Sequence, residues 1–168
     1  MTDYATRRTM MVDTQVRPSD VTKFPIIDAL LRVPREAFVP DALKDAAYIG
    51  DNLDLGEGRV LLEPRTFAKM LDALNIQTGE LVLDLGAGYG YAAAVLSLLA
   101  EAVVAVEENT DMVREATAVL VEFGADNVAM VEAPLTAGVP QHGPYDVIVI
   151  EGAVSQISDA LMAQLKDG

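Results

Sequence analysis

The sequence predicts an α/β protein, a mostly parallel sheet with helices on both faces, and three observations lead there. From Leu71 onward, strand-like and helix-like segments alternate in a regular order. The first of these strands runs directly into a glycine-rich turn, Gly86-Ala87-Gly88-Tyr89-Gly90, which opens a helix. The residues up to about Pro64 differ in kind, being rich in proline and charge with irregular spacing. The 168 residues suit one domain with a normal core.

In chain order, residues 21–33 read as a helix, with Pro25 early, where a missing N–H is tolerated, and an apolar stripe of Ile26, Ile27, Leu30 and Leu31. Val33-Pro34 ends it, because proline pushes the preceding residue out of the helical region. Phe38-Val39-Pro40 is expected to be an extended, buried anchor. Residues 50–58, with Asp51, Asn52 and two further glycines, read as a loop. Pro64 starts a helix that runs through Leu74. Leu81-Val82-Leu83 is a short strand, and 91–100 is a helix apolar on nearly every side and so expected to be buried. Val103-Val104-Ala105-Val106 is a second strand ending at Glu107. Residues 111–123 form a helix capped by Thr110 or Asn109, with Gly124 just past its end. Residues 128–131 and 146–150 are two more strands, and 158–166 a last helix. The crossovers are expected to be right-handed.

Composition narrows the function. There is no cysteine, which excludes disulfides, thiolate nucleophiles and cysteine metal sites and fits a reducing cytoplasm. No metal site is expected. With 26 acidic residues against 12 basic, the net charge of -14 repels phosphate backbones, so nucleic acid is not an expected partner. No apolar run is long and uncharged enough to span a bilayer, and no signal peptide is evident, so no membrane association is expected.

The glycine turn carries the chemistry. A strand, a glycine turn and a helix place free backbone N–H groups and a helix start beside a ligand. A dinucleotide-binding G-x-G-x-x-G needs a small third residue where this chain has Tyr91. The spacing is instead G-x-G-x-G, with Asp84 two residues before Gly86. An acid there meets a pyrophosphate unfavourably and a cationic amino acid favourably, as in methyltransferases, where it faces the ammonium of S-adenosylmethionine. Glu107, 21 residues after Gly86 at a strand end, can accept hydrogen bonds from ribose hydroxyls. The candidate cofactor-binding residues are therefore Asp84, Gly86, Ala87, Gly88, Gly90, Tyr91 and Glu107. The lone His142, in a Gln-His-Gly-Pro loop, is expected to be an exposed bystander.

Beyond the turn, the chain resembles the protein-L-isoaspartate O-methyltransferases. The resemblance covers nearly the whole sequence. It includes Met11-Val12-Asp13-Thr14-Gln15-Val16, Val33-Pro34-Arg35-Glu36-Ala37-Phe38-Val39-Pro40 (the family's VPRxxFVP), Ala47-Tyr48, Gly58 and Pro64. It continues through the loop from Gly86 to Ala93 (similar to GTGSGYQAA), Pro144-Tyr145-Asp146 and Gln164-Leu165-Lys166-Asp167-Gly168, where members read QLKPGG. It implies a Rossmann-like class I methyltransferase fold: 1–168 as one domain, 1–64 a family-specific segment and 65–168 the cofactor-binding core. Four strands are few for that fold, and further strands are expected beyond Gly168. It also implies S-adenosylmethionine as cofactor and, as partner, a damaged protein or peptide whose isoaspartyl α-carboxylate accepts the methyl group. That carboxylate is ionised at neutral pH and needs no general base, so alignment and exclusion of water would carry the rate.

Two departures stand out. Where the family reads GQTISQP, with a hydroxyl important for catalysis, this chain reads Gly58-Arg59-Val60-Leu61-Leu62-Glu63-Pro64 and has Leu62 at the hydroxyl position. No catalytic side chain is assigned in its stead. Where members carry Gly-Asp-Gly beside the adenine amino group, this chain has Ala133-Pro134-Leu135, and Pro134 lacks both carboxylate and backbone donor. Glu132 and Ala133 are then the candidates for the adenine edge, and Glu151 is a further acid near the strand ends. A methyltransferase with another acceptor, and a silent descendant that binds cofactor or a partner without transferring methyl, remain open alternatives. A nicotinamide oxidoreductase is disfavoured by Tyr91 and Asp84.

Overall fold

The computed structural model describes residues 1–167. The chain opens with α1 (Tyr4–Met11), capped by Asp3, whose carboxylate accepts from the Thr6 N–H. It passes through a wide turn, Val12–Val16, to α2 (Phe24–Arg32), where Pro25 lies in the first turn and Val33 breaks out to an extended conformation. Arg35–Phe38 is a 3-10 turn and only Val39 is extended, so the anchor is buried as expected but not straight throughout. The expected loop at 50–58 is a hairpin instead: β1 (Leu53–Gly56) pairs antiparallel with β2 (Arg59–Leu61) around the tight turn Glu57-Gly58, both residues at positive φ. Its strands are too short for periodicity to register against the surrounding turn residues.

The remaining elements follow in regular order. They are α3 (Pro64–Leu74), β3 (Leu81–Leu85), α4 (Tyr91–Ser97), β4 (Ala102–Glu107), α5 (Thr110–Phe123), β5 (Val128–Glu132), β6 (Val147–Ile150) and α6 (Asp159–Met162). Asn109 is the cap of α5, accepting from the Met112 N–H, and Gly124 closes it in a left-handed conformation. The last helix is a single turn rather than the span 158–166. Strands β3 to β6 form one parallel sheet in the order β5-β4-β3-β6, so β3 is central and its carboxyl end lies between those of β4 and β6.

The two-residue period of a strand divides the core. Val82, Val103, Ala105, Val147 and Val149 face one side, against α4, Phe67 and Leu71 of α3, and the N-terminal segment. Leu83, Leu85, Val104 and Val106 face the other, against Val139, Tyr145 and Leu161 of α6. Every residue of α4 is buried, which accounts for its all-round apolar sequence. Among the described residues no helix is long and apolar enough to cross a membrane.

Candidate active site at the carboxyl ends of the strands

The glycine loop is fixed by backbone bonds to the neighbouring strand. The N–H groups of Gly86 and Ala87 both donate to the Val106 carbonyl, and that of Gly90 to Ala87. Gly90 is at φ +93°, and a Cβ there would lie 3.3 Å from both Ala116 and Leu120 of α5, so the third glycine lets helices α4 and α5 meet. A Cβ on Gly88 would lie 3.2 Å from the Leu55 side chain, which places the β1–β2 hairpin directly over the loop.

Asp84 sits on the penultimate residue of β3 and is fully buried. Among the described residues no backbone N–H, hydroxyl or basic side chain donates to either of its carboxyl oxygens. Its partner is another acid, Glu151, just beyond β6, whose buried Oε1 likewise has no basic or backbone donor and which shares a side-chain hydrogen bond with Asp84. Burial pushes Asp84 up to about 6; Glu151 works against that rise and the charge of Glu107 adds to it. Burial and then the Asp84 charge hold Glu151 well above the ordinary carboxylate range. A buried carboxylate without cationic or backbone donors is costly, and a cation is the natural complement.

Glu107 ends β4 and is also fully buried, but it is saturated with donors. Its Oε2 accepts from Arg59 Nε at 2.8 Å and the Gly88 N–H at 2.8 Å, and its Oε1 from Arg59 Nη2 at 2.9 Å and the N–H groups of Glu108 and Asn109 at 2.7 and 3.1 Å. Burial alone would raise its pKa; the Arg59 guanidinium and the backbone donors of Asn109 and Gly88 outweigh that and hold it below the usual range. Arg59 also approaches Glu108 at 3.6 Å.

The other sequence-predicted residues divide. Gly86 lines a cleft of about 510 Å³ with Arg59, Leu135, Glu151 and Ser155. The Ala133 N–H is spent on the Glu107 carbonyl. Glu132 is exposed and accepts from the Thr110 hydroxyl at 2.8 Å. Tyr91 sends its ring into the core, edge-on to Phe38 at 6.1 Å and under the Arg35 guanidinium at 4.9 Å, so the side chain is structural and only its backbone starts α4 beside the loop. Arg35 explains the VPRxxFVP segment physically: buried, it donates to the carbonyls of Ala47 and Leu62 and ties three stretches of chain around Tyr91. Leu62 packs against that core, a partly buried hydrophobic side chain with no polar role. His142 is exposed, in the short turn Pro140–His142.

Sequence reasoning missed Arg59. Its signal was present, a cation in place of the family's glutamine, but its partner lies 48 residues away.

Comparison with known proteins bears on this geometry. A family model described as Protein-L-isoaspartate(D-aspartate) O-methyltransferase (PCMT) matches residues 7–168. The chain belongs to the protein-L-isoaspartate O-methyltransferase family. It is 41% identical over 164 residues to the protein-L-isoaspartate O-methyltransferase of Methylorubrum extorquens (strain PA1), covering 98% of this chain and 72% of that one. It is 36% identical over 167 residues to protein-L-isoaspartate O-methyltransferase 1 of Rhodopseudomonas palustris (strain HaA2), covering 99% of this chain and 68% of that one. Among solved structures, a protein-L-isoaspartate O-methyltransferase superposes with a TM-score of 0.82 at 29% identity over 96% of this chain, which spans 53% of the length of that one. A putative family member from Plasmodium falciparum, solved with S-adenosyl-L-homocysteine, superposes with a TM-score of 0.79 at 16% identity, covering 99% of this chain and 81% of that one, and supports the fold. The α/β, class I methyltransferase architecture expected from the sequence is therefore the architecture of this family.

Proposed function

We propose that the chain is an S-adenosylmethionine-dependent methyltransferase that modifies the α-carboxylate of isoaspartyl residues in damaged proteins. The observation that carries the cofactor assignment is Asp84: a buried carboxyl bonded to no cation or backbone donor and sharing its place with a second acid, Glu151, under a glycine loop at the end of the central strand. An ammonium group fits there and an anionic pyrophosphate does not. Gly86 and Gly88 leave room above the strand end, and Glu107 stands one strand over for ribose hydroxyls. S-adenosylmethionine, when bound, supplies an electrophilic methyl group on a sulfonium.

The chain's own residues then align and desolvate. Asp84 anchors the amino-acid end, and the hairpin residue Leu55 and the loop around Gly88 cover it from water. The open side is the cleft bounded by Arg59, Gly86, Glu151 and Ser155, where an acceptor carboxylate can approach. No side chain has to remove a proton from that acceptor, so the absence of a His–carboxylate pair is consistent with the reaction. The net charge of -14 argues against a nucleic acid acceptor. A second reading, transfer to a different acceptor, is favoured by one observation, the packed Leu62 at the hydroxyl position.

The test is methyl transfer from labelled S-adenosylmethionine to an isoaspartyl peptide and to its normal aspartyl counterpart. Labelling of the first alone is expected. Labelling of neither, with cofactor binding intact, removes the isoaspartyl assignment.

A further inference from the structure

Glu107 has no acceptor capacity left. Two carboxylate oxygens offer about four lone-pair directions. Here they receive five donors, three from the backbone and two from Arg59. Ribose hydroxyls can reach this carboxylate only if a present donor leaves. The backbone donors of Gly88, Glu108 and Asn109 are held by the glycine loop and the start of α5; the guanidinium is the one movable group. We infer that Arg59 is the internal occupant that the cofactor's ribose displaces from Glu107, and that the released guanidinium then holds the carboxylate of the methyl acceptor. This rests on the methyltransferase reading above.

Three observations support the exchange. Arg59 is carried by the two-stranded β1–β2 hairpin, which is hydrogen-bonded to itself and not to the parallel sheet. Such a hairpin has little stability of its own and can shift without breaking the central ladder. At the glycine loop the hairpin sets side chains and not backbone against the glycines, Leu55 over Gly88 and the Arg59 stem over Gly86. Finally, Arg59 already borders the cleft, where it is the one cation among the lining residues and the other charged one is Glu151. An acceptor carboxylate entering this cleft finds no other cationic partner among its lining residues, and Leu62 offers no hydroxyl. A guanidinium pairs with a carboxylate through two parallel hydrogen bonds, the geometry Arg59 shows with Glu107. Losing Arg59 does not strand Glu107, because its three backbone donors remain and the ribose hydroxyls replace the other two. The consequence is an order: cofactor first, acceptor second.

Arg59→Gln and Arg59→Lys separate the two roles. Calorimetric titration with S-adenosylhomocysteine and steady-state methylation of an isoaspartyl peptide are measured for both and for the wild type, with thermal unfolding to confirm that each is folded. The variants are expected to bind S-adenosylhomocysteine at least as tightly as the wild type, while KM for the peptide rises about tenfold in the Gln variant and less in the Lys variant, which keeps the charge. Weaker S-adenosylhomocysteine binding in both folded variants overturns the displacement. An unchanged peptide KM overturns the acceptor role, as does a wild type that binds S-adenosylhomocysteine and methylates no peptide. A wild type that binds no S-adenosylhomocysteine instead overturns the methyltransferase reading itself.

Discussion

Asp84 and Glu151 stand side by side at the ends of adjacent parallel strands, two carboxyls bonded to each other with three buried oxygens that no backbone N–H or basic side chain reaches. Buried carboxyls so placed do not both ionise readily, so the pair holds a proton until a cation arrives. Ligand binding should therefore be linked to pH.

The sign follows from the direction of the shift. Asp84 has its proton affinity raised from the ordinary 3.8 to about 6 in the folded chain. Its contribution to the stability of the ligand-free protein is complete below about pH 4 and is lost as pH rises through about 6. A bound ammonium favours the ionised form and reverses that loss. The groups facing Asp84 are Glu151 from beyond β6 and Glu107 from β4, the latter already paired with Arg59 from β2. Titration with S-adenosylhomocysteine between pH 5 and 8 should show affinity falling by up to about tenfold per unit below pH 6 and level above it. A flat profile would contradict the assignment of Asp84. Glu151→Leu, which removes the group that works against the rise at Asp84, should move the fall to higher pH.

Arg35 should matter for folding more than for chemistry. It is buried, bonded to the Ala47 and Leu62 carbonyls and stacked on Tyr91. Arg35→Met should lower unfolding stability by about 3 kcal/mol in urea denaturation, because two charge-assisted bonds vanish and two carbonyls lose their donors. Retained S-adenosylhomocysteine affinity in the remaining folded protein is expected; a selective loss of affinity without loss of stability would show that Arg35 acts at the site.

The second and third loop glycines should fail differently. Gly90→Ala places a methyl against Ala116 and Leu120 at positive φ, and should cost roughly 2 kcal/mol of stability. Gly88→Ala meets only the end of the Leu55 side chain, so its stability cost should be about 1 kcal/mol. Its larger effect should be on cofactor affinity, since the methyl enters the space between loop and hairpin. Thermal unfolding with and without S-adenosylhomocysteine distinguishes the two.

Leu62→Ser restores the family's hydroxyl but removes a partly buried packing residue. Stability should fall by about 1–2 kcal/mol, less than for a fully buried leucine. Isoaspartyl kcat/KM should recover only partly, because Pro134 still offers no donor or carboxylate for adenine. A full recovery to the level of a relative with the intact motif would show that the hydroxyl was all that was missing.

The sequence pattern made the glycine loop and the two strand-end acids legible and left the hairpin that covers them hidden. Asp84, Gly86 and Glu107 lie in one strand–turn–helix–strand unit, where local spacing fixes relative position. The hairpin resembles a loop in sequence because Gly50, Asp51, Asn52, Gly56 and Gly58 dominate so short a stretch. The bond from Arg59 to Glu107 joins parts of the chain with no shared period, and only the folded arrangement reveals it. The bulk of Tyr91 argues against a dinucleotide, and the same bulk sends the ring into the core rather than to a ligand. Helix α1 has no clear sequence signal for a simpler reason, since it is largely polar and buries only Met11.

The most direct test of the cofactor assignment is S-adenosylhomocysteine binding by the wild type and by Asp84→Asn, with the thermal stability of each measured without ligand. Replacing a buried carboxyl that no cation or backbone donor reaches by a neutral amide should leave the ligand-free protein as stable or more stable above pH 6, while affinity falls at least about tenfold for loss of a desolvated ion pair. Unchanged affinity in the Asn variant, or no binding by the wild type, would contradict the placement of the cofactor at Asp84.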